Sequence, residues 1–263
     1  MLFLLPPSET KASGGGLLTI EEVALSFGGM NPARQKVLDA LLKVCKKPAQ
    51  AAKVLKLSPK QHGAIATNLA IPKAPTMRAL ERYTGTLFDA IEPAKLHDEQ
   101  WRRAKEQVLI QTALFGLIPA TDLIPEYRLS ANTSLPKLSL REVWTEAHNH
   151  AVWPRLEAKL LIDLRSKAYA QLAPVPDGKQ SLWVEVVSRE SDGKLRALNH
   201  FNKLAKGLLI GAVLRAEQPP TSLDALADTA ASVGMELQEA NGGLLLITDQ
   251  IKKAQRTAAS SAS

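Results

Sequence analysis

The sequence predicts an α+β fold: a mixed or antiparallel sheet with surrounding helices. Three observations carry this reading. Apolar or alternating runs of about five residues recur along the chain, helical patterns fill the gaps between them, and the two do not alternate regularly as a doubly wound fold requires. Of the 263 residues 45% are apolar, enough to bury a full core, and no internal repeat is visible.

Taken in order, Met1-Leu2-Phe3-Leu4-Leu5 is apolar and stops at Pro6-Pro7. It lacks a basic leader and a small-residue cleavage site, so it reads as a buried first strand, not a signal peptide. Asn31-Pro32 looks like an N-cap followed by a first-turn proline, opening a helix to about Cys45. Ser58-Pro59-Lys60-Gln61 has capping-box spacing and opens a second helix running to about Ala70. Further helices are expected near Met77–Arg82, Asp98–Lys105, Leu140–His150, Trp153–Lys159, Asn202–Glu217 and Leu223–Val233. Strands are expected at Leu2–Leu5, Val108–Ile118, Leu160–Leu164, Leu182–Val187, Leu195–Leu198 and Leu244–Thr248. Pro174 to Gly178 is a turn. Residues 1–255 are expected to form one domain, with 30–75 as its basic helical part and 256–263 as a flexible tail.

The longest apolar run, Leu204 to Leu214, is broken by Lys206, Gly207 and Gly211 and does not span a bilayer. The lone cysteine, Cys45, excludes an internal disulfide and a thiolate zinc site. A cytoplasmic monomer without a membrane partner is the expectation.

Charge is unevenly placed. Between Arg34 and Lys73 nine cations face one acid, Asp39, leaving +8, while the remaining 24 basic residues nearly balance 25 acidic ones. From Ala216 to Ile251 there is no Lys or Arg, and six carboxylates. A concentrated basic segment is the footprint of a polyanion partner, or a solvated helical face. Within it, Lys43, Lys46, Lys47 and Lys53 fall on two short helical stretches joined at Lys46-Lys47-Pro48, the outline of a helix-hairpin-helix. The glycines that allow close phosphate approach are missing, so an ordinary helical hairpin stands beside that reading.

Later, Asn202-Lys203-Leu204-Ala205-Lys206-Gly207 opens an apolar helix with Lys203 and Lys206 on one face. Cations oppose the positive end of a helix dipole, and an anion bound there reverses the penalty. The alternative is that both lysines extend to water. After the first strand come Ser8, Glu9 and Lys11, in a loop position where functional groups collect. Arg128 and Arg165 each present a fork suited to phosphate, or to an ion pair with Asp122, Glu126 or Asp163. The five histidines are scattered, no metal-binding or nucleophile motif is present, and neither metal nor cofactor is expected.

Several segments in order resemble the YaaA-like peroxide-stress proteins. They are Met1 to Lys11; Arg82-Tyr83-Thr84-Gly85-Thr86-Leu87-Phe88; Ala113 to Ile118; Asp122 to Leu129; Trp144; Asp163 to Tyr169; and His200 to Gly207. The chain looks closer to the actinobacterial-type branch. It departs from better-studied members at Pro7-Ser8-Glu9-Thr10, where they read Ser-Pro-Ala-Lys-Thr, and at Asp163-Leu164-Arg165-Ser166, where they read Asn-Leu-Ala-Ser. It departs again at Lys203 to Gly207, where they read Lys-Lys-Ala-Arg-Gly. The resemblance implies a family-specific mixed fold with a basic cleft and a helix-hairpin-helix element. It further implies binding of duplex or distorted DNA, and a role in limiting oxidative damage linked to intracellular iron.

Two functions are therefore expected. In the first, Lys43, Lys46, Lys47 and Lys53 contact DNA phosphates, Lys203 and Lys206 line the cleft, and Ser8, Glu9, Lys11, Tyr83, Arg128, Asp163, Arg165 and Asn202 are further cleft candidates. In the second, Glu9, Asp163, Arg128, Arg165 and Lys203 converge in the pocket of an enzyme acting on a nucleotide or damaged nucleobase, with a carboxylate as general base.

Overall fold

The first strand, β1 (Leu2–Leu5), is buried along its whole length and lies in the middle of the sheet. The computed structural model describes residues 1–189, 194–198 and 201–248. His200 of the His200–Gly207 segment, Asp249 and Ile251, and the expected tail 256–263 lie outside the described residues.

After β1 come the helices α1 (Asn31–Cys45), α2 (Pro48–Val54) and α3 (Gly63–Ala70). Next are β2 (Met77–Arg78), α4 (Ala79–Arg82), α5 (Thr86–Ile91) and α6 (Asp98–Gln107). The middle of the chain forms β3 (Val108–Thr112), β4 (Gly116–Pro119), β5 (Leu123–Ile124), α7 (Leu140–Ala151), β6 (Leu161–Asp163) and α8 (Lys167–Leu172). The last part is β7 (Ser181–Arg189), β8 (Leu195–Ala197), α9 (Asn202–Arg215), α10 (Leu223–Ser232), β9 (Met235–Ala240) and β10 (Gly243–Thr248).

The main sheet runs β4-β3-β1-β6-β7-β10-β9, with β8 beside β7. Its centre is parallel: β1 pairs in parallel with β3 and β6, β6 with β7, and β7 with β10. Its margins are antiparallel, β4 on β3, β9 on β10 and β8 on β7. The fold is thus α+β with a mixed sheet. Parallel strands must be covered on both faces, which explains why β1, β3 and β6 are buried at every residue, without alternation.

Several elements differ from expectation for local reasons. The run Val108–Ile118 is a hairpin: Thr112 Oγ1 accepts from the Phe115 amide at 2.7 Å, and Gly116 takes a φ of 69°. At that φ an added Cβ would also lie 2.7 Å from the Trp144 ring, so glycine is required. Asn31 is the first residue of α1 and not its cap. Its side chain accepts from Arg34 at 2.8 Å, and Met30 holds the cap position. Residues 77–82 begin as a strand, and 153–156 form a 3-10 turn. The edge strand β9 is charged and alternating and was not expected.

The capping box forms, with the Ser58 amide donating to Gln61 Oε1 at 3.1 Å, but it opens a 3-10 turn over Pro59–Gln61, and the α-helix expected from there begins only at Gly63. Cys45 packs in the core, with Asn68 Nδ2 at 3.6 Å from its sulfur. The apolar helix α9 is mostly buried, packed on α5 and α10. No helix among the described residues is long and apolar enough to cross a membrane.

Candidate functional site

From β1 the chain goes to β3 on one side, then crosses to β6 on the other. Loops leaving neighbouring parallel strands in opposite directions open a crevice at the strands' carboxyl ends. A cleft of about 780 Å³ lies there. The long strand β7 forms its floor. Residues 181–183 of β7 pair with β6 and residues 187–189 with β8, and Val184, Glu185 and Val186 between them face the cleft. The walls come from Glu9 after β1, from Leu164 to Tyr169 after β6, and from Asn202, Lys203 and Lys206 on α9.

At the end of β6 an ion pair is buried. Arg165 Nε lies 2.9 and 3.1 Å from the Asp163 carboxylate oxygens, and Nη2 lies 2.7 Å from one of them. Arg165 Nη1 donates to the Ala173 carbonyl at 2.9 Å. This arginine is therefore committed to holding the β6–α8 loop. Of the pair, Arg165 lines the cleft, and Asp163 faces a neighbouring cavity of about 500 Å³ that Arg165 also reaches.

Lys206 does not extend to water. It is 5% exposed and donates to the Leu164 carbonyl at 3.0 Å, with its ammonium 5.7 Å from the Trp183 ring centroid. Burial lowers its pKa to about 8, against the pull of Asp163. Lys203, one turn earlier on the same face, is exposed at the cleft wall, and Asn202 lies beside it.

Arg128 pairs with Glu9 and not with Asp122 or Glu126. Its Nη2 is 2.6 Å from Glu9 Oε2, and its Nη1 donates to the Glu9 carbonyl at 3.3 Å. Asp122 instead accepts from the Ser26 amide and hydroxyl at 2.8 and 2.7 Å. Glu9 stands between the main cleft and a second cavity of about 360 Å³, which holds Lys11, Lys60, Glu126 and Arg128. The five residues expected to converge are thus divided: Glu9, Arg165 and Lys203 line the cleft, Arg128 lines the second cavity, and Asp163 lies behind Arg165.

Lys11 lies with its Nζ 4.2 Å from the Tyr127 ring centroid and 5.2 Å from that of Tyr83. The two phenols share a hydrogen bond of 2.7 Å, and burial raises both pKa values. Tyr83 therefore supports Lys11 from beneath. Ser8 contributes its carbonyl to Lys11 at 3.0 Å, and its hydroxyl lies 3.1 Å from that of Thr10.

Lys43, Lys46, Lys47 and Lys53 are exposed on α1, α2 and the link between them, and none of them lines the cleft. The link amides are already used, Lys46 N donating to Leu42 O and Lys47 N to Val44 O at 3.1 Å each. Sequence reasoning missed Trp183 and Tyr169 as cleft residues and Lys60 in the second cavity. Tyr169 ends the Asp163–Tyr169 segment, but nothing in the periodicity distinguishes it. Among the described residues no group of three His, Cys, Asp or Glu side chains is placed to hold a metal ion.

The family model described as "Peroxide stress protein YaaA" matches residues 1–240. The UPF0246 protein Cgl1995/cg2186 of Corynebacterium glutamicum is 36% identical over 244 residues, covering 91% of this chain and 95% of that protein. The UPF0246 protein SCO2297 of Streptomyces coelicolor is 34% identical over 240 residues, covering 90% and 92%. A UPF0246 protein of Shewanella sp. strain MR-4 is 27% identical over 240 residues, covering 86% and 90%. The higher identities with the Corynebacterium and Streptomyces proteins accord with the branch expected from the motifs. On this match along nearly its whole length, the chain belongs to the YaaA family of peroxide stress proteins.

Proposed function

We propose that this chain binds duplex or distorted DNA without reading its sequence, as its part in a peroxide-stress response. One observation carries the reading. Of the nine cations between Arg34 and Lys73, only Arg34 turns inward, donating to the Phe115 and Ser26 carbonyls at 2.9 and 2.7 Å. The other eight, all lysines, are exposed, and none pairs with a carboxylate among the described residues. Burying or pairing those charges would have removed them as counterion-release sites; left bare, they suit a polyphosphate.

The helix-hairpin-helix-like part then works through ammonium groups, because the turn amides at Lys46 and Lys47 are already bonded. Lys203 and Lys206 extend the same electrostatics into the cleft, where Tyr169 and Trp183 offer surfaces for an unstacked base.

Fluorescence anisotropy on plain and bubble-containing duplexes, across a salt series, tests this. Lys43→Glu with Lys47→Glu should weaken binding and flatten the slope of log affinity against log salt by about 2. Unchanged affinity and slope would overturn the assignment.

A second reading, an enzyme on a nucleotide or damaged base, is favoured by the position of the cleft at the strand carboxyl ends. Its general base would be Glu185, since Asp163 and Glu9 already face guanidinium groups. Mass spectrometry of nucleotides and lesion-bearing oligonucleotides after incubation tests it. Absence of any product, or product that persists in Glu185→Gln, counts against it.

A further inference from the structure

We infer that Lys11 is a nucleophilic amine that forms an imine with an aldehyde flanked by a phosphate, bound in the 360 Å³ cavity beside the main cleft. Lys11 lacks a carboxylate partner among the described residues. Its Nζ donates to the Ser8 and Glu9 carbonyls at 3.0 and 3.4 Å, and no carboxylate oxygen among the described residues lies within 4 Å of it. Lys11 is half-buried, and an ammonium withdrawn from water on one side needs a counter-charge to hold its proton, of which aromatic faces supply only part. Here Tyr127 and Tyr83 form the floor under Nζ, while Arg128, a second cation, lines the same cavity. Burial first, and then the Arg128 charge, bring the Lys11 pKa to about 7, against Glu9 and Glu126, so a large fraction is free amine at neutral pH.

The rest of the cavity fits the substrate class. With Lys11 neutral, Lys60 is left to hold an anion, together with the Arg128 guanidinium that Glu9 already orients. Glu126 lines the same wall and makes no ion pair among the described residues, so it is placed to move protons.

In the step itself, Nζ adds to the carbonyl carbon and a C–N bond forms. A proton passes from nitrogen through Glu126 to the oxygen. The remaining N–H proton passes by the same route to the resulting hydroxyl, which leaves as water while the nitrogen lone pair forms the C=N bond. One water is released and nothing is oxidised or reduced.

Two sources supply such an aldehyde: the ring-opened deoxyribose of an abasic site in DNA, whose aldehyde lies between two phosphates, and a free sugar-phosphate aldehyde. The DNA source rests on the DNA-binding reading above; the amine does not. The full chain is incubated with borohydride and either an abasic-site duplex or glycolaldehyde phosphate, and the reduced adduct is mapped by peptide mass spectrometry. An adduct on Lys11, absent from Lys11→Arg and retained in Lys95→Arg, an exposed lysine outside both cavities, is the expected result. Should Lys11→Arg fail to fold, the map on the unaltered chain decides by itself.

No adduct in either arm, or one spread over exposed lysines with Lys11 unmodified, overturns the inference. Labelling by glycolaldehyde phosphate alone assigns the site to a free metabolite. Anisotropy on the same abasic duplex then reports separately whether DNA binds at all.

Discussion

Arg165 closes back on Asp163, two residues earlier, through guanidinium–carboxylate contacts of 2.7–3.1 Å, with both side chains almost wholly withdrawn from water. The pair sits where β6 ends beside β1, and it sets the course of the loop that forms one cleft wall. Removing one charge strands the other in a dry site. Asp163→Asn is expected to cost about 3–5 kcal/mol in denaturant unfolding. Asp163→Asn combined with Arg165→Met should recover part of that loss. Equal destabilisation by the single and double variants would show that the pairing is not what holds the loop.

His148 is buried, with Nδ1 2.6 Å from the Trp144 carbonyl and its ring 5.5 Å from that of Trp153. Burial lowers its pKa to about 3, against the Trp144 carbonyl, and the Arg165 and Arg34 charges add to the lowering. The unfolded imidazole takes up a proton near pH 6.5, and the folded one does not until about pH 3. The stability from keeping His148 neutral is therefore complete above pH 6.5 and is lost progressively as pH falls toward 3, by as much as roughly 4 kcal/mol. Chemical denaturation at stepped pH should show this acid limb, and His148→Phe should flatten it.

Gly207 lets α9 lie against α5. A Cβ at that position would come 2.2 Å from the Leu87 carbonyl oxygen, a backbone atom that has little room to yield. Helix propensity alone favours alanine over glycine by about 1 kcal/mol. Gly207→Ala is nonetheless expected to destabilise, by about 1–3 kcal/mol or more, because the two helices must separate. A raised melting temperature for this variant would contradict the close packing.

Lys11 should react at unusually low pH. Trace acetylation followed by peptide mapping should give a midpoint near pH 7 for Lys11, where an ordinary lysine titrates near about 10.4. Arg128→Gln removes a cation that lowers this pKa, so it should move the midpoint upward. A midpoint left unmoved would mean that burial over Tyr127 acts without help from Arg128.

Much of the architecture is legible in local pattern. The apolar Leu2–Leu5 run, the Ser58–Gln61 box and the buried face of α9 all follow from side-chain chemistry acting within a few residues. The hairpin inside Val108–Ile118 was hidden because apolar residues continue through its turn, and only a hydroxyl–amide bond and one glycine mark the reversal. The pairing of Arg128 with Glu9, 119 positions away, left no local trace, and Asp122 and Glu126 were the nearer choices along the chain.

The sequence by itself determined the charge imbalance, the identities of the cations and the order of the family's motifs. Tertiary structure alone decided that Lys206 turns inward to the Leu164 carbonyl, that Lys203 borders a cleft floored by β7, and that Lys11 rests on two tyrosines. The reason is physical: helix and strand periodicity set which face a residue occupies. Which distant residue it meets depends on strand order, and the placing of β1 between β3 and β6 is settled by the packing of the whole core.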